Sequence, residues 1–446
     1  MISSKLSDVE KKIYYSTEIV KKKLKSENLT YLRDIYKKSE LIDFSQFKHI
    51  WNLHLNEINS LNLYIHVPFC VKKCAYCMYP SYKLKTSESK KEYINFLGDF
   101  FSRFSSLKTK EILNFYVGGG TPNLLNTSEL KIFFSIINKH FIFKNGDFVR
   151  TFEFSPSLIN VGQILAIKEF GIFNRLSFGI QSFNKTTLER EGRTHFSYDQ
   201  FKKLYSYLKS KLFEEVDVDL IIGLNDEPGD DSLDNFKKLI SHNVDSINVN
   251  ILQINAKKSS LYTSAAKYYQ INSSIIEKMN LIAAKNGYSI ESLGADLGAM
   301  YIKKRVSRGF SYIQNEFRAA SQFSAAPGSI GTIPSILDYQ TKMTQEFNVD
   351  DLKFSVQKLD FIHTVILSLS QMLMVDEFNF KTFSSMFNIE FTELYEKELK
   401  YLESRNIVDW KNNRITWDKL SHIEKHILFG IFYPINELKE IYLSSC

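Results

Sequence analysis

Tyr64-Ile-His-Val-Pro-Phe-Cys70-Val-Lys-Lys-Cys74-Ala-Tyr-Cys77 runs a short apolar, strand-like segment straight into three cysteines. The chain has one other cysteine, Cys446, its last residue. Cysteine concentrated in a C-x3-C-x2-C spacing reads as a set of thiolate ligands and not as core filler. Three ligands are one too few for a closed structural zinc site, which takes four donors. They also leave one iron of a [4Fe–4S] cube without a protein ligand, and an open coordination position is where metal chemistry takes place. A zinc site completed by His66 is the rival reading of the same residues.

Phe115-Tyr-Val-Gly-Gly-Gly-Thr-Pro122 follows one helical segment later. Glycines directly after a strand let backbone N–H groups close on a ligand with no Cβ in the way. Taken alone, such a run is equally a tight turn. Joined to the cysteines, it resembles the radical S-adenosylmethionine (SAM) superfamily. There the open iron chelates the amino and carboxylate groups of SAM, and the glycine segment binds the methionine amino group.

Further motifs narrow the resemblance. Phe152-Glu-Phe-Ser-Pro, Asn174-Arg-Leu-Ser-Phe-Gly-Ile-Gln-Ser-Phe-Asn, Gly192-Arg-Thr-His and Asp217-Val-Asp-Leu-Ile-Ile-Gly-Leu stand in order after the first two. Together they resemble the oxygen-independent coproporphyrinogen III oxidase family over roughly residues 60–340. The resemblance implies that Cys70, Cys74 and Cys77 ligate a [4Fe–4S] cluster. It places Tyr64, Tyr76, Gly118, Gly119, Gly120, Thr121 and Glu153 around a cluster-bound SAM. It surrounds a second SAM with Gln181, Arg193 and Asp219, and adds Ile330 from the segment Ala325-Ala-Pro-Gly-Ser-Ile330. No catalytic side chain is assignable beyond this shell. The plain readings are packing aromatics for the two tyrosines, a solvated loop residue for Glu153, and ion-pair or loop structure for Gln181, Arg193 and Asp219.

The resemblance stops short of one oxidase hallmark. A glycine and a further cysteine follow the third ligand in that enzyme, whereas Met78-Tyr79-Pro80 follow it here. The haem-chaperone branch usually lacks a long N-terminal extension, which this chain has. Other branches transfer a SAM-derived methyl or methylene group to an organic substrate, using two SAM molecules. The expected function is therefore reductive SAM cleavage with methyl or methylene transfer. The alternatives are coproporphyrinogen-type oxidative decarboxylation or other tetrapyrrole chemistry and, in another class, a non-catalytic haem-binding chaperone. A small-molecule substrate and an electron donor such as flavodoxin or ferredoxin are the implied partners.

The 446 residues, 44% of them hydrophobic, suffice for a large core and a smaller domain. No apolar run is long enough to span a bilayer, and the N-terminus does not read as a signal peptide. Clustered unpaired cysteines imply a reducing compartment, so an oxygen-sensitive, cytoplasmic, monomeric protein is expected. The net charge of +7 is spread along the chain. Its densest run, residues 21–25, reads as a solvated helix face or as a contact for an anionic partner. Aromatics do not interleave with arginines, so nucleic-acid binding is not expected.

Residues 1–61 read as a helical N-terminal extension, with an apolar stripe at Ile13, Ile19, Val20, Leu24, Leu29 and Leu32. Residues 62–294 alternate strands (62–67, 113–117, 151–155, 175–179, 216–222, 246–252) with helices (88–103, 128–139, 161–170, 198–211, 231–242). Six such alternations predict parallel strands with right-handed crossovers, an α/β partial (β/α)6 barrel with its motifs at the strand C-termini. Residues 295–349 are a pocket-lining connection. Residues 350–446 read as a winged-helix-like domain, with helices over 359–374, 380–387 and 392–403 and a hairpin of 407–410 with 414–417. Substrate specificity is expected from 291–318.

Overall fold

A computed structural model describes residues 7–25, 39–58, 61–211, 213–224, 229–252, 265–293, 299–304, 321–372, 377–416, 420, 422–436 and 439. Leu29, Leu32, Met374, Trp417, Cys446 and most of the 291–318 segment lie outside these residues. Among the described residues no helix is long and apolar enough to cross a membrane.

The chain opens with α1 (Asp8–Lys25), β1 (Glu40–Asp43) and α2 (Phe44–His54), and β2 (Leu61–Val67) enters the main sheet. After it come the short strands β3 (Phe69–Cys70) and β4 (Tyr82–Lys83), then α3 (Glu88–Ser102), β5 (Glu111–Gly119), α4 (Thr127–His140) and β6 (Ile142–Phe143). The alternation continues through β7 (Arg150–Phe154), α5 (Val161–Phe170), β8 (Arg175–Gln181), α6 (Lys185–Arg190), α7 (Tyr198–Ser210), β9 (Glu215–Ile222), α8 (Gly229–Ser241) and β10 (Ser246–Ile251). Side-chain caps help to begin these helices. Asn126, Asn160 and Ser197 each form a capping box with the Glu or Gln three residues on.

Next come α9 (Ala265–Lys285), β11 (Tyr288–Leu293), β12 (Ala299–Lys304), β13 (Ser321–Ala325), β14 (Ile330–Ile333), β15 (Leu337–Thr341) and β16 (Lys353–Lys358). The sheet order is β1-β16-β15-β14-β13-β2-β5-β7-β8-β9-β10-β12-β11, with β6 beside β5. The strands from β13 to β10 in that order all pair in parallel. The six expected strands are therefore extended by β13, and antiparallel strands continue the sheet at both ends. This is an α/β partial barrel.

Parallel strands covered by helices on both faces read as continuous apolar runs, but these alternate. Leu63, Ile65 and Val67 on β2, Leu176, Phe178 and Ile180 on β8, and Val216, Val218 and Leu220 on β9 are buried in the core. Between them stand Tyr64 and His66, Arg175 and Ser177, and Asp217 and Asp219. Since successive side chains point to opposite faces, one face packs against helices and the other is a polar interior.

Two expected boundaries are corrected. The strand β16 falls inside the segment read as the start of the C-terminal domain, yet it pairs with β15 and β1 in the large sheet. Phe354 and Val356 are buried and alternate with Ser355 and Gln357, a period of two that builds a strand. The small domain thus begins at α10 (Phe361–Met372). Nor do residues 1–61 form one extension. In β1 and α2 they join the large sheet, where Phe47 stacks on Phe354 with ring centroids 3.8 Å apart. In contrast α1 puts Val9, Tyr15 and Ile19 into the core of the small domain, and Lys12 reaches Glu398 at 2.7 Å.

The small domain continues with β17 (Glu377–Asn379), α11 (Phe380–Phe387), α12 (Phe391–Leu394), α13 (Glu396–Glu403), β18 (Val408–Asp409), β19 (Arg414–Thr416) and α14 (His422–Phe429). The helix expected over 392–403 is broken at Tyr395, whose φ of −125° is not helical. There the Tyr395 ring packs against Phe391 and Phe432, at 5.1 and 5.0 Å. A third strand, β17, joins the expected hairpin.

Candidate functional site

The parallel strands deliver their polar residues to one end of the barrel. In register, His66 on β2 lies beside Gly118 on β5, and Glu153 on β7 beside Ser177 on β8 and then Asp217 on β9. Gly179 lies beside Asp219, and Asp219 beside Asn248 on β10.

Cys70 ends β3, and Cys74 and Cys77 follow in a loop fastened at several points. The Cys77 N–H donates to the Cys74 carbonyl at 3.1 Å, and the Ala75 N–H donates to the Glu191 carbonyl at 2.9 Å. The Tyr79 N–H donates to the Cys77 sulfur, partly offsetting the burial that raises that thiol's pKa. Thr121 aims its hydroxyl at Cys70 Sγ, 3.6 Å away. His66 is a fastener as well. Its Nε2 lies 2.8 Å from the Pro80 carbonyl and its Nδ1 2.9 Å from the Tyr64 hydroxyl. A carbonyl can only accept, so Nε2 carries the proton and Nδ1 accepts from Tyr64. Burial lowers the His66 pKa to about 4, which keeps the ring neutral. With both nitrogens engaged, His66 is not placed to complete a zinc site. Among the described residues no three His, Cys, Asp or Glu side chains close on a single metal ion. A cube spreads its three thiolates over three different irons, so the three cysteines fit that group.

Each glycine of the run has its own close neighbour. A Cβ on Gly118 would lie 2.5 Å from Glu153 Oε2, and one on Gly119 2.5 Å from His66 Nδ1. Gly119 also takes φ +105°, a conformation that favours glycine. On Gly120 a Cβ would collide with the Phe69 carbonyl oxygen. That carbonyl is backbone and immediately precedes Cys70, so it cannot yield without moving the first thiol. Gly120→Ala should cost about 1–3 kcal/mol of stability and lower iron uptake on reconstitution. Thermal melting and iron analysis check this, and an unchanged Tm with full iron would contradict it.

Glu153 accepts from the Tyr116 hydroxyl and from the Gly119 N–H, while burial raises its carboxyl pKa. Across the mouth, Arg193 donates to the Tyr76 hydroxyl at 3.0 Å, to the Gly179 carbonyl and to Cys74. Burial raises the Tyr76 pKa. Gln181 sits at φ +67°, which a non-glycine residue adopts at a cost. Its Oε1 is buried and has no hydrogen-bond partner among the described residues. A strained glutamine with an unsatisfied carbonyl at the mouth fits a residue shaped to meet a ligand. Ile330 lies on the same side of the barrel, two strands from Tyr64 through Ser324. Its side chain is 55% exposed, and the preceding Gly328 lies against His66 and Pro80.

Asp219 accepts from Asn248 Nδ2 at 2.9 Å. Burial, then the charges of Asp217 and Glu153, raise its pKa from 3.8 to about 7. The unfolded carboxyl releases its proton near 4, so between about pH 4 and 7 the native state holds the extra proton. The contribution of Asp219 to stability then falls as pH rises through that window, opposed up to about pH 6.5 by His66, whose lowered pKa acts with the opposite sign. Asp219→Asn removes this contribution, so the variant should gain several degrees of Tm over wild type at pH 8 and match it near pH 4. Parallel melting curves across that range would contradict the assignment.

Beneath these residues lies an ion cluster that sequence reasoning missed. Arg175 reaches Glu215 at 3.1 Å and Asp217 at 2.7 Å. Ser246 donates to both carboxylates. Tyr116 and Asn248 were missed in the same way as positioning residues, whereas His66 was weighed as a zinc ligand and is instead a fastener. The signal was available in Glu215-Val-Asp-Val-Asp219, where acids recur at a period of two inside an apolar strand.

Residues 64–240 match the radical SAM superfamily. The heme chaperone HemW of Buchnera aphidicola subsp. Schizaphis graminum is 32% identical over 184 residues, 41% of this chain and 48% of that protein. The oxygen-independent coproporphyrinogen III oxidase of Escherichia coli is 27% identical over 193 residues, 42% of this chain and 41% of that enzyme. The chain therefore matches about half the length of its curated relatives or less. The solved structure of coproporphyrinogen III oxidase (HemN) from Escherichia coli superposes with a TM-score of 0.65 at 17% identity, covering 84% of this chain and 90% of that one. It shares the fold.

Proposed function

We propose that this chain, whose residues 64–240 match the radical SAM superfamily, is an enzyme of the coproporphyrinogen III oxidase-like family that cleaves SAM reductively. The observation that carries this reading is the convergence of Cys70, Cys74 and Cys77 with Glu153, Gln181, Arg193 and Asp219 at one end of the barrel. Cys70, Cys74 and Cys77 would hold a [4Fe–4S] cluster, which would supply the electron for reductive cleavage of SAM. The chain's own residues bind and orient. Glu153, fixed by Tyr116 and Gly119, accepts from the SAM amino group. Arg193 offers a planar fork to a carboxylate, and Asp219 accepts from ribose hydroxyls. Tyr64, locked by His66, and Tyr76, locked by Arg193, wall the site. A primary alkyl radical attacks almost any C–H bond, so selectivity lies in where the substrate is held.

Two groups of SAM-binding residues, one around Glu153 and one formed by Gln181, Arg193 and Asp219, support two SAM molecules. Two SAM molecules in turn support transfer of a SAM-derived methyl or methylene group. Anaerobic turnover with dithionite tests this. S-adenosylhomocysteine formed alongside 5′-deoxyadenosine supports methyl transfer, and 5′-deoxyadenosine alone supports oxidation or decarboxylation. A second reading, a haem-binding chaperone, is favoured by the relatives named for that activity. Stoichiometric haem binding with SAM left uncleaved would select it.

A further inference from the structure

The cluster loop carries positive charge on its exposed side that SAM binding does not use. From Val71 to Thr86 the chain has four lysines, Lys72, Lys73, Lys83 and Lys85, and no Asp or Glu. All four are exposed. Three of them have a recorded contact at or beside the loop that holds the cysteines. Lys83 is the cross-strand partner of Cys70. Lys72 lies over the bare backbone of Gly192, where a Cβ would come within 3.1 Å of Lys72 Nζ. Lys73 donates to the Tyr79 carbonyl at 3.1 Å, two residues beyond Cys77. Among the described residues none of the four lysines forms an ion pair with an acid, and Glu88 pairs instead with Lys91 at 2.9 Å. Two apolar side chains complete the face. Val71 and Met78, each next in sequence to a ligand cysteine, are 54% and 50% exposed.

A run of surface lysines is ordinarily a solvated face. This one sits on the backbone that holds three thiolates, and reductive SAM cleavage requires one electron per turnover from outside the chain. We propose that this lysine-ringed face is the docking surface for an acidic one-electron carrier protein, an inference that rests on the SAM-cleavage reading. Apolar contact at Val71 and Met78 would form the centre and the lysines a charged rim, the arrangement that steers association. One electron leaves the reduced carrier, which is oxidised by one, and enters the cluster, which is reduced by one. No bond forms or breaks in this step and no proton moves.

The test titrates reconstituted protein with a flavodoxin by calorimetry and measures SAM cleavage with reduced flavodoxin or with saturating dithionite. Lys72→Glu/Lys83→Glu/Lys85→Glu should bind flavodoxin roughly tenfold more weakly or worse at low salt, and flavodoxin-driven cleavage should fall with it. Iron content and dithionite-driven cleavage should stay at wild-type levels. Wild-type affinity should drop as salt rises. Lys72→Gln/Lys83→Gln removes charge without reversing it and should show the same direction at smaller size, which covers a triple variant that fails to assemble. Flavodoxin affinity unchanged in an iron-replete variant overturns the docking face. So does an oligonucleotide that binds the same lysines more tightly than flavodoxin. If wild type cleaves SAM with neither reductant, the SAM-cleavage reading fails, and the binding titration still decides the docking face.

Discussion

Alanine at Cys70, Cys74 or Cys77 should abolish the iron centre, each substitution alone being sufficient. Wild type reconstituted anaerobically should carry close to four irons per chain, as expected for a [4Fe–4S] cube, with its broad visible absorbance. With three thiolates for four irons the described residues offer no spare protein ligand, and His66 cannot substitute because its nitrogens are engaged by Tyr64 and Pro80. Cys446→Ala should leave the iron intact. Iron analysis and absorbance settle the matter, and stoichiometric zinc with no iron uptake would contradict it.

Arg193→Ala and Glu153→Ala should fail in different ways. Arg193 reaches Tyr76, Gly179 and Cys74, so it bridges the mouth beside the cluster loop. Truncating one partner of a buried charge-assisted contact costs about 2–5 kcal/mol of binding, roughly 30-fold to several thousand-fold in affinity. Arg193→Ala should keep its iron and slow, uncoupled SAM cleavage, and bind one SAM per chain where wild type binds two. Glu153→Ala should keep its iron and lose cleavage, because its carboxylate holds the SAM that is cut. If wild type and Arg193→Ala both saturate at one SAM per chain, the two-SAM proposal fails, and methyl transfer loses its main support.

The residues that announce the site were legible because their spacing is local. C-x3-C-x2-C, the glycine run and the strand–helix alternation from β2 to β10 all lie within short windows. The elements missed are those whose reason for existing is distant in sequence. Strand β13 pairs with β2 about 260 residues away, and nothing local in Ser321–Ala325 announces that partner. Phe354 looks like part of a new domain until Phe47 is seen stacked on it. Lys12 of α1 finds Glu398 across 386 positions. Charge pairing inside the barrel was hidden in the same way. Arg175 sits in an apolar strand, and its partners Glu215 and Asp217 lie 40 and 42 positions on. Tyr64 illustrates a half-legible residue. Its place beside the cluster came from the motif, but its hydrogen bond to His66 needed the strand end and the Pro80 carbonyl to be seen together.

The most direct test of the account is SAM cleavage itself. Anaerobically reconstituted protein, given dithionite and SAM without any substrate, should form 5′-deoxyadenosine and methionine in equal amounts. The same preparation of Cys74→Ala should form neither. A wild-type preparation with close to four irons that leaves SAM intact, and instead takes up one equivalent of haem, would contradict the account.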